Sequence, residues 1–291
     1  MTDTENKSEK YNKLDLWDTK TILDTILESQ LNAIASIKLI SDELEQTVLK
    51  AVPLLESGGR LIFAGAGTSG RIAAQECAEL YPTFSWPKNK AHFLLAGGQK
   101  AFSEAIENAE DDITQGEHDA TKLKPTSKDI FICCAASGRT PYTLGVMRTA
   151  NLSGSLTIGI SSVAQSPLLN EAKIKLNAKT GAEVIAGSTR MKAGTAQKVI
   201  LNILTTAIMI RLNRTYDSYM IDLVATNEKL NNRAVKIVAG ICSVTTETAK
   251  EALSICKGKV KLACVYLKYK NLKTAEEILL EHEGNLRKCL E

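Results

Sequence analysis

The segment Arg60-Leu61-Ile62-Phe63-Ala64-Gly65-Ala66-Gly67-Thr68-Ser69-Gly70-Arg71 decides the fold. Its first half is a short apolar run and its middle is rich in glycine. A helical pattern over Arg71–Tyr81 follows. This is the order strand, tight turn, helix. Strands of this kind are buried on both faces and read as continuous apolar runs. Four more runs fit the same description: His92–Ala96, Asp129–Cys134, Leu156–Ile160 and Ile174–Asn177. Helical segments over Ala101–Asp111 and Pro141–Asn151 separate them. The alternation predicts an α/β fold, a doubly wound parallel five-stranded sheet with a small C-terminal helical module.

The flanks are helical. Residues 1–55 form an N-terminal helical arm, with apolar positions at Ile22, Ile26, Ile34, Ile37, Leu44 and Val48. Residues 56–239 hold the sheet and two long helices, Lys192–Arg211 and Tyr216–Ala239. Residues 240–291 read as a three-helix module, broken at Lys257-Gly258 and Asn271.

Composition narrows the function. The chain has 291 residues, 44% of them hydrophobic, and a net charge of only +3. No basic run stands out, so no nucleic-acid partner is expected. Lys192–Arg211 carries Lys198, Asn202, Thr205 and Thr206 and reads as a core helix, not a membrane span. Met1–Lys13 has no apolar signal-peptide region. The seven cysteines form no Cys-x-x-Cys pair, as expected of free thiols in a reducing cytoplasm. His92, His118 and His282 are scattered and show no metal-ligand spacing, so no metal is expected.

Gly65–Gly70 matches Gly-x-Gly-x-x-Gly, the dinucleotide fingerprint. A dinucleotide site also needs a carboxylate at the end of the second strand, to hold the ribose. That strand ends Ala96-Gly97-Gly98. A phosphate cradle fits better. Glycines admit close backbone approach, a helix N-terminus offers free N–H groups, and Thr68 and Ser69 add hydroxyls. The third strand is followed by Ser137, Arg139 and Thr140. A further loop, Gly187–Lys192, supplies Ser188, Thr189 and Lys192 ahead of the long helix. Each loop alone could be ordinary capping. Three together point to one sugar-phosphate crevice. Arg71, Arg139 and Arg190 could reach a phosphate or pair with carboxylates at helix ends.

These loops carry a resemblance. Phe63–Arg71 and Ala135–Tyr142 resemble the two signatures of the sugar isomerase (SIS) fold. Gly187–Lys198 and Asp222–Leu230 are similar to motifs of the N-acetylmuramic acid 6-phosphate etherases and the related glucokinase regulatory proteins. The likeness runs from Thr4-Glu5 to the C-terminus. It implies cleavage of a lactyl ether by elimination and hydration, giving N-acetylglucosamine 6-phosphate and D-lactate in peptidoglycan recycling. It implies a homodimer and a sugar-phosphate substrate, with no cofactor and no membrane partner. It also implies two catalytic glutamates: Glu79 as general acid and Glu110 as the base at C2. Two departures stand out. Leu80-Tyr81 replaces the usual Cys-Pro after Glu79, and Lys7-Ser8 replaces an Arg-Asn pair. Two other readings share the fold: a non-catalytic sugar-phosphate sensor and an aldose–ketose isomerase.

Overall fold

The computed structural model describes residues 4–223 and 228–291. Four residues of the Asp222–Leu230 motif, 224–227, lie outside that range. In chain order the main elements begin with α1 (Thr19–Ile37), α2 (Ser41–Glu56), β1 (Leu61–Gly65), α3 (Gly67–Phe84) and β2 (Ala91–Leu95). There follow α4 (Ile113–Lys122), β3 (Ile130–Cys134), α5 (Pro141–Leu152), β4 (Leu156–Ser161), α6 (Pro167–Glu171) and β5 (Ile174–Asn177). The rest is α7 (Lys192–Arg211), β6 (Thr215–Tyr216), β7 (Tyr219–Met220), α8 (Glu228–Cys242), α9 (Thr246–Ile255), α10 (Val260–Tyr269), α11 (Leu272–Glu281) and α12 (Leu286–Leu290).

β1 to β5 form one parallel sheet in the order β2-β1-β3-β4-β5. Every residue of β1, β3 and β4 is buried, which accounts for their unbroken apolar character. Ile62, Ala64, Phe131 and Cys133 pack with Ala120 of α4 and with Tyr142, Val146 and Met147 of α5. The alternate residues Leu61, Phe63, Ile130 and Ile132 are equally buried, so both faces are covered. At the start of the sheet Arg60 grips the buried Asp129 with Nε (2.9 Å) and Nη2 (2.7 Å). That pair ties the entries of β1 and β3 together.

The chain folds into two compact units that are not contiguous in sequence. One comprises residues up to Ala78 together with Lys88–Thr205; the other comprises Glu79–Pro87 with Thr206–Glu291. The second unit has its own core, built from Val238, Ala252, Val260, Ala263, Val265 and Leu286 among others. In it Asp222 accepts ion pairs from Arg214 (3.1 Å) and Lys261 (2.9 Å). The Arg214 guanidinium lies over the Trp86 ring, 5.6 Å from its centre.

Two expected helices differ. Residues 101–111 do not form one. A 3-10 turn covers Gly98–Phe102, Asn108 is left-handed, and the helix starts only at Ile113. Asp112 sets that start by accepting the Gln115 N–H at 2.8 Å. Likewise Tyr216–Ala239 is no single helix, since a β6–β7 hairpin precedes α8. Beyond residue 245 the chain forms four helices rather than three. Thr245, Asn271 and Asn285 cap α9, α11 and α12, and the break before the last follows Gly284. All seven cysteines are free, and six are buried. Burial pushes the Cys77 and Cys134 thiols up to about 12. Among the described residues α7 alone is long and apolar enough to cross a membrane, and 56% of its apolar window is buried inside the fold.

Candidate active site

The strand order reverses direction between β1 and β3. Ligands of open α/β sheets bind at such a switch point, beyond the carboxyl ends of the strands. Here Gly65 and Cys134 are register partners, so the loops after β1 and β3 leave the sheet side by side. A cavity of about 390 Å³ opens at that place.

Its floor is the turn from β1 into α3. Ala66, Gly67, Thr68 and Ser69 line it. The turn is tight: a Cβ on Gly70 would strike the Gly65 carbonyl and the Leu95 side chain, so only glycine fits. The first amides of α3 and two hydroxyls thereby converge on the opening. Ser137, Arg139 and Thr140 line the β3 side. The Arg139 N–H donates to Ser137 Oγ at 3.2 Å, which shapes the turn. Gly187 and Thr189 come from the loop before α7.

That last loop is held by a buried carboxylate that sequence reading did not single out. Glu183 accepts the Lys192 N–H at 3.1 Å and the Ala193 N–H at 2.9 Å. It caps α7 and uses the positive end of the helix dipole. Burial nevertheless holds the Glu183 carboxyl above the usual carboxylate range, with the two amides and Lys192 acting against that rise. Burial also lowers the Lys192 ammonium, against the opposing charge of Glu183. Lys192 is buried and, like Ser188, does not line the cavity.

Glu110 and Asp111 line the cavity from the turn Ala109–Asp111. Arg71 contributes by holding the preceding segment. Its Nε donates to the Ala101 carbonyl at 2.7 Å and its Nη2 to that of Glu104 at 3.1 Å. The guanidinium therefore serves the loop backbone. Glu79 is exposed, about three turns further along α3 than Gly67, and is not among the residues lining the cavity. Glu5 lines the cavity too. The signal in the sequence is that the family likeness begins at Thr4-Glu5; composition alone does not single the residue out.

The sheet order and a hydroxyl-rich cavity at its switch point define a protein of the SIS class. A model of the glucokinase regulatory protein N-terminal SIS domain matches residues 43–151. The fold resembles that of a phosphoheptose isomerase from Francisella tularensis, with a TM-score of 0.54 and 20% identity over 67% of this chain and 100% of that one. Sequence relatives are more specific. The chain is 42% identical to an N-acetylmuramic acid 6-phosphate etherase of Deinococcus radiodurans, covering 92% of this chain and 89% of that protein. It is 40% identical to one of Pseudothermotoga lettingae, covering 99% and 96%. The chain belongs to the N-acetylmuramic acid 6-phosphate etherase family.

Proposed function

We propose that this protein cleaves the lactyl ether of N-acetylmuramic acid 6-phosphate, giving N-acetylglucosamine 6-phosphate and D-lactate. The observation that carries this reading is the cavity at the β1/β3 switch point. It joins a helix-N-terminal, hydroxyl-rich cradle to the carboxylate of Glu110 in a chain of this family. The cradle of Thr68, Ser69, Ser137, Thr140 and Thr189 suits a phosphate, with Arg139 as a neighbouring cation. Ser188 and Lys192 flank it in the loop and at the α7 start without lining the cavity.

The chemistry runs through the open-chain sugar. Its aldehyde acidifies the proton on C2. Glu110 takes that proton, the electron pair forms the C2–C3 double bond, and the C3–O bond breaks. Glu79 gives a proton to the departing lactate oxygen. Water then adds across the double bond, its hydroxyl to C3 and a proton to C2. Each carboxyl group is used once as acid and once as base. Glu79 is assigned by its place in the family motif and not by the cavity. We place the protein in the cytoplasm as a homodimer, with no metal or organic cofactor.

The test is release of D-lactate from N-acetylmuramic acid 6-phosphate by the purified chain, with and without chelator. Equal release is expected in both. A folded protein that binds the sugar phosphate and releases no lactate would be a sensor instead.

A further inference from the structure

Glu5 is held in the cavity by the arm around it. Thr4 is fully buried. Ser8 Oγ accepts the Lys10 N–H at 3.3 Å, and Lys10 Nζ pairs with Glu28 of α1 at 3.1 Å. Lys7, Ser8 and Tyr11 share a recess with Glu183, Val184 and Ala186, the segment leading into the Gly187 loop. Gly187 itself makes room for the carboxylate. It has a φ of +75°, and a Cβ there would lie 3.1 Å from Glu5 Oε2.

The charges of the cavity are uneven. Among the described residues that line it, Glu5, Glu110 and Asp111 are acidic and Arg139 is the one cation. A phosphate dianion is repelled by carboxylates and belongs against the amides of α3 and the hydroxyl loops. The carboxylates are left for the part of a ligand that carries O–H and N–H donors. Glu110 already has a task in the proposed reaction. Glu5 does not.

On that sugar-phosphate reading, we propose that Glu5 is a specificity-determining residue: its carboxylate accepts hydrogen bonds from hydroxyl or amide groups of the sugar and disfavours phosphate that lacks one. The two effects have opposite signs on removal of the charge, which separates them from simple damage to the arm.

The experiment uses the full chain with Glu5→Gln and Glu5→Ala. Two quantities are measured, turnover of N-acetylmuramic acid 6-phosphate and inhibition by inorganic phosphate at low salt. Glu5→Ala should raise KM by about tenfold with kcat changed far less, because the lost contact is made equally in ground and transition states. Glu5→Gln keeps an acceptor oxygen and should fall between. Both variants should bind inorganic phosphate a few-fold more tightly, an advantage that fades as salt rises. Unchanged KM and unchanged phosphate inhibition would reduce Glu5 to a packing residue. A fall in kcat at constant KM would move it into the chemistry and overturn the assignment. If the unaltered chain releases no lactate, the etherase reading fails on its own. Calorimetry with N-acetylglucosamine 6-phosphate and with inorganic phosphate then decides the Glu5 proposal by the same opposite signs.

Discussion

Glu76 and Lys198 meet at 2.8 Å where α3 packs on α7. Glu76 is almost fully buried, and Thr205 Oγ1 (2.6 Å) and Asn202 Nδ2 (3.4 Å) donate to its other oxygen. The pair matters because of what the two helices carry. α3 begins at the cradle, and α7 begins just after Thr189.

Removing Glu76 should therefore act on stability and on the site together. Glu76→Ala is expected to cost about 3 kcal/mol, since it breaks a buried pair and orphans the Thr205 hydroxyl. Lys198→Ala should cost less, about 1 kcal/mol, because that side chain is partly solvated and Thr205 and Asn202 remain. In a double-mutant cycle the combined loss should fall short of the sum. Urea unfolding measures the losses, and a raised KM in Glu76→Ala would report the loosened cradle. Additive losses would show that the two residues do not interact.

Gly70 offers a second handle on the cradle. A methyl group there has no free space, because it would meet the backbone of Gly65. Gly70→Ala must push the turn away from β1, at a cost of about 1–3 kcal/mol. Substrate affinity should fall by more than that loss of stability explains, because the turn carries Thr68 and Ser69. A folded Gly70→Ala protein with unaltered KM would place the phosphate elsewhere.

The fold and the site were unevenly legible in the sequence. The strands stood out because β1, β3 and β4 are buried on both faces, which leaves unbroken apolar runs such as Ile130–Cys134. α7 was legible end to end, Lys192–Arg211, since an apolar run of that length is too long for a strand and fits a core helix. The hydroxyl loops after β1 and β3 could be placed from topology, because loops after adjacent parallel strands open on the same edge; the loop before α7 follows the edge strand β5 and had no such guide. Residues 101–111 could not be placed. Their composition suits a helix, but the left-handed Asn108 and the Arg71 bonds to two carbonyls hold them otherwise. Glu183 and Glu5 escaped for a related reason. A glutamate in a polar stretch looks the same whether it caps a buried helix, lines a cavity or faces water.

The Arg60–Asp129 pair makes an acid limit measurable. Burial would raise the Asp129 carboxyl, but the Arg60 guanidinium and the Thr126 hydrogen bonds outweigh it and hold the group below its ordinary 3.8. A lowered folded pKa means that the stabilisation is present above the unfolded value and is lost as pH falls through the folded one. The loss thus belongs below about pH 4. Asp129→Asn should melt at lower temperature than the unaltered protein at pH 7. The gap between them should narrow as pH drops below about 4. A gap that stays constant with pH would assign the effect to packing.

The two glutamates of the proposed mechanism can be separated by following the C2 proton. Its removal needs only the aldehyde and a base, whereas loss of lactate also needs an acid. Glu110 lines the cavity, so Glu110→Gln should abolish exchange of that proton with solvent deuterium, because an amide cannot accept it at neutral pH. Glu79→Gln should leave some exchange while stopping lactate release. Positioned acids and bases contribute about 10²–10⁴-fold, so both losses are large enough to read directly. Exchange at C2 is measured by NMR beside lactate in the same samples. If Glu79→Gln stops exchange and Glu110→Gln preserves it, the roles are reversed. If neither substitution slows either step, neither glutamate takes part and the proton transfers belong to other groups. Glu5 and Asp111, the other carboxylates in the cavity, would then be the first to test.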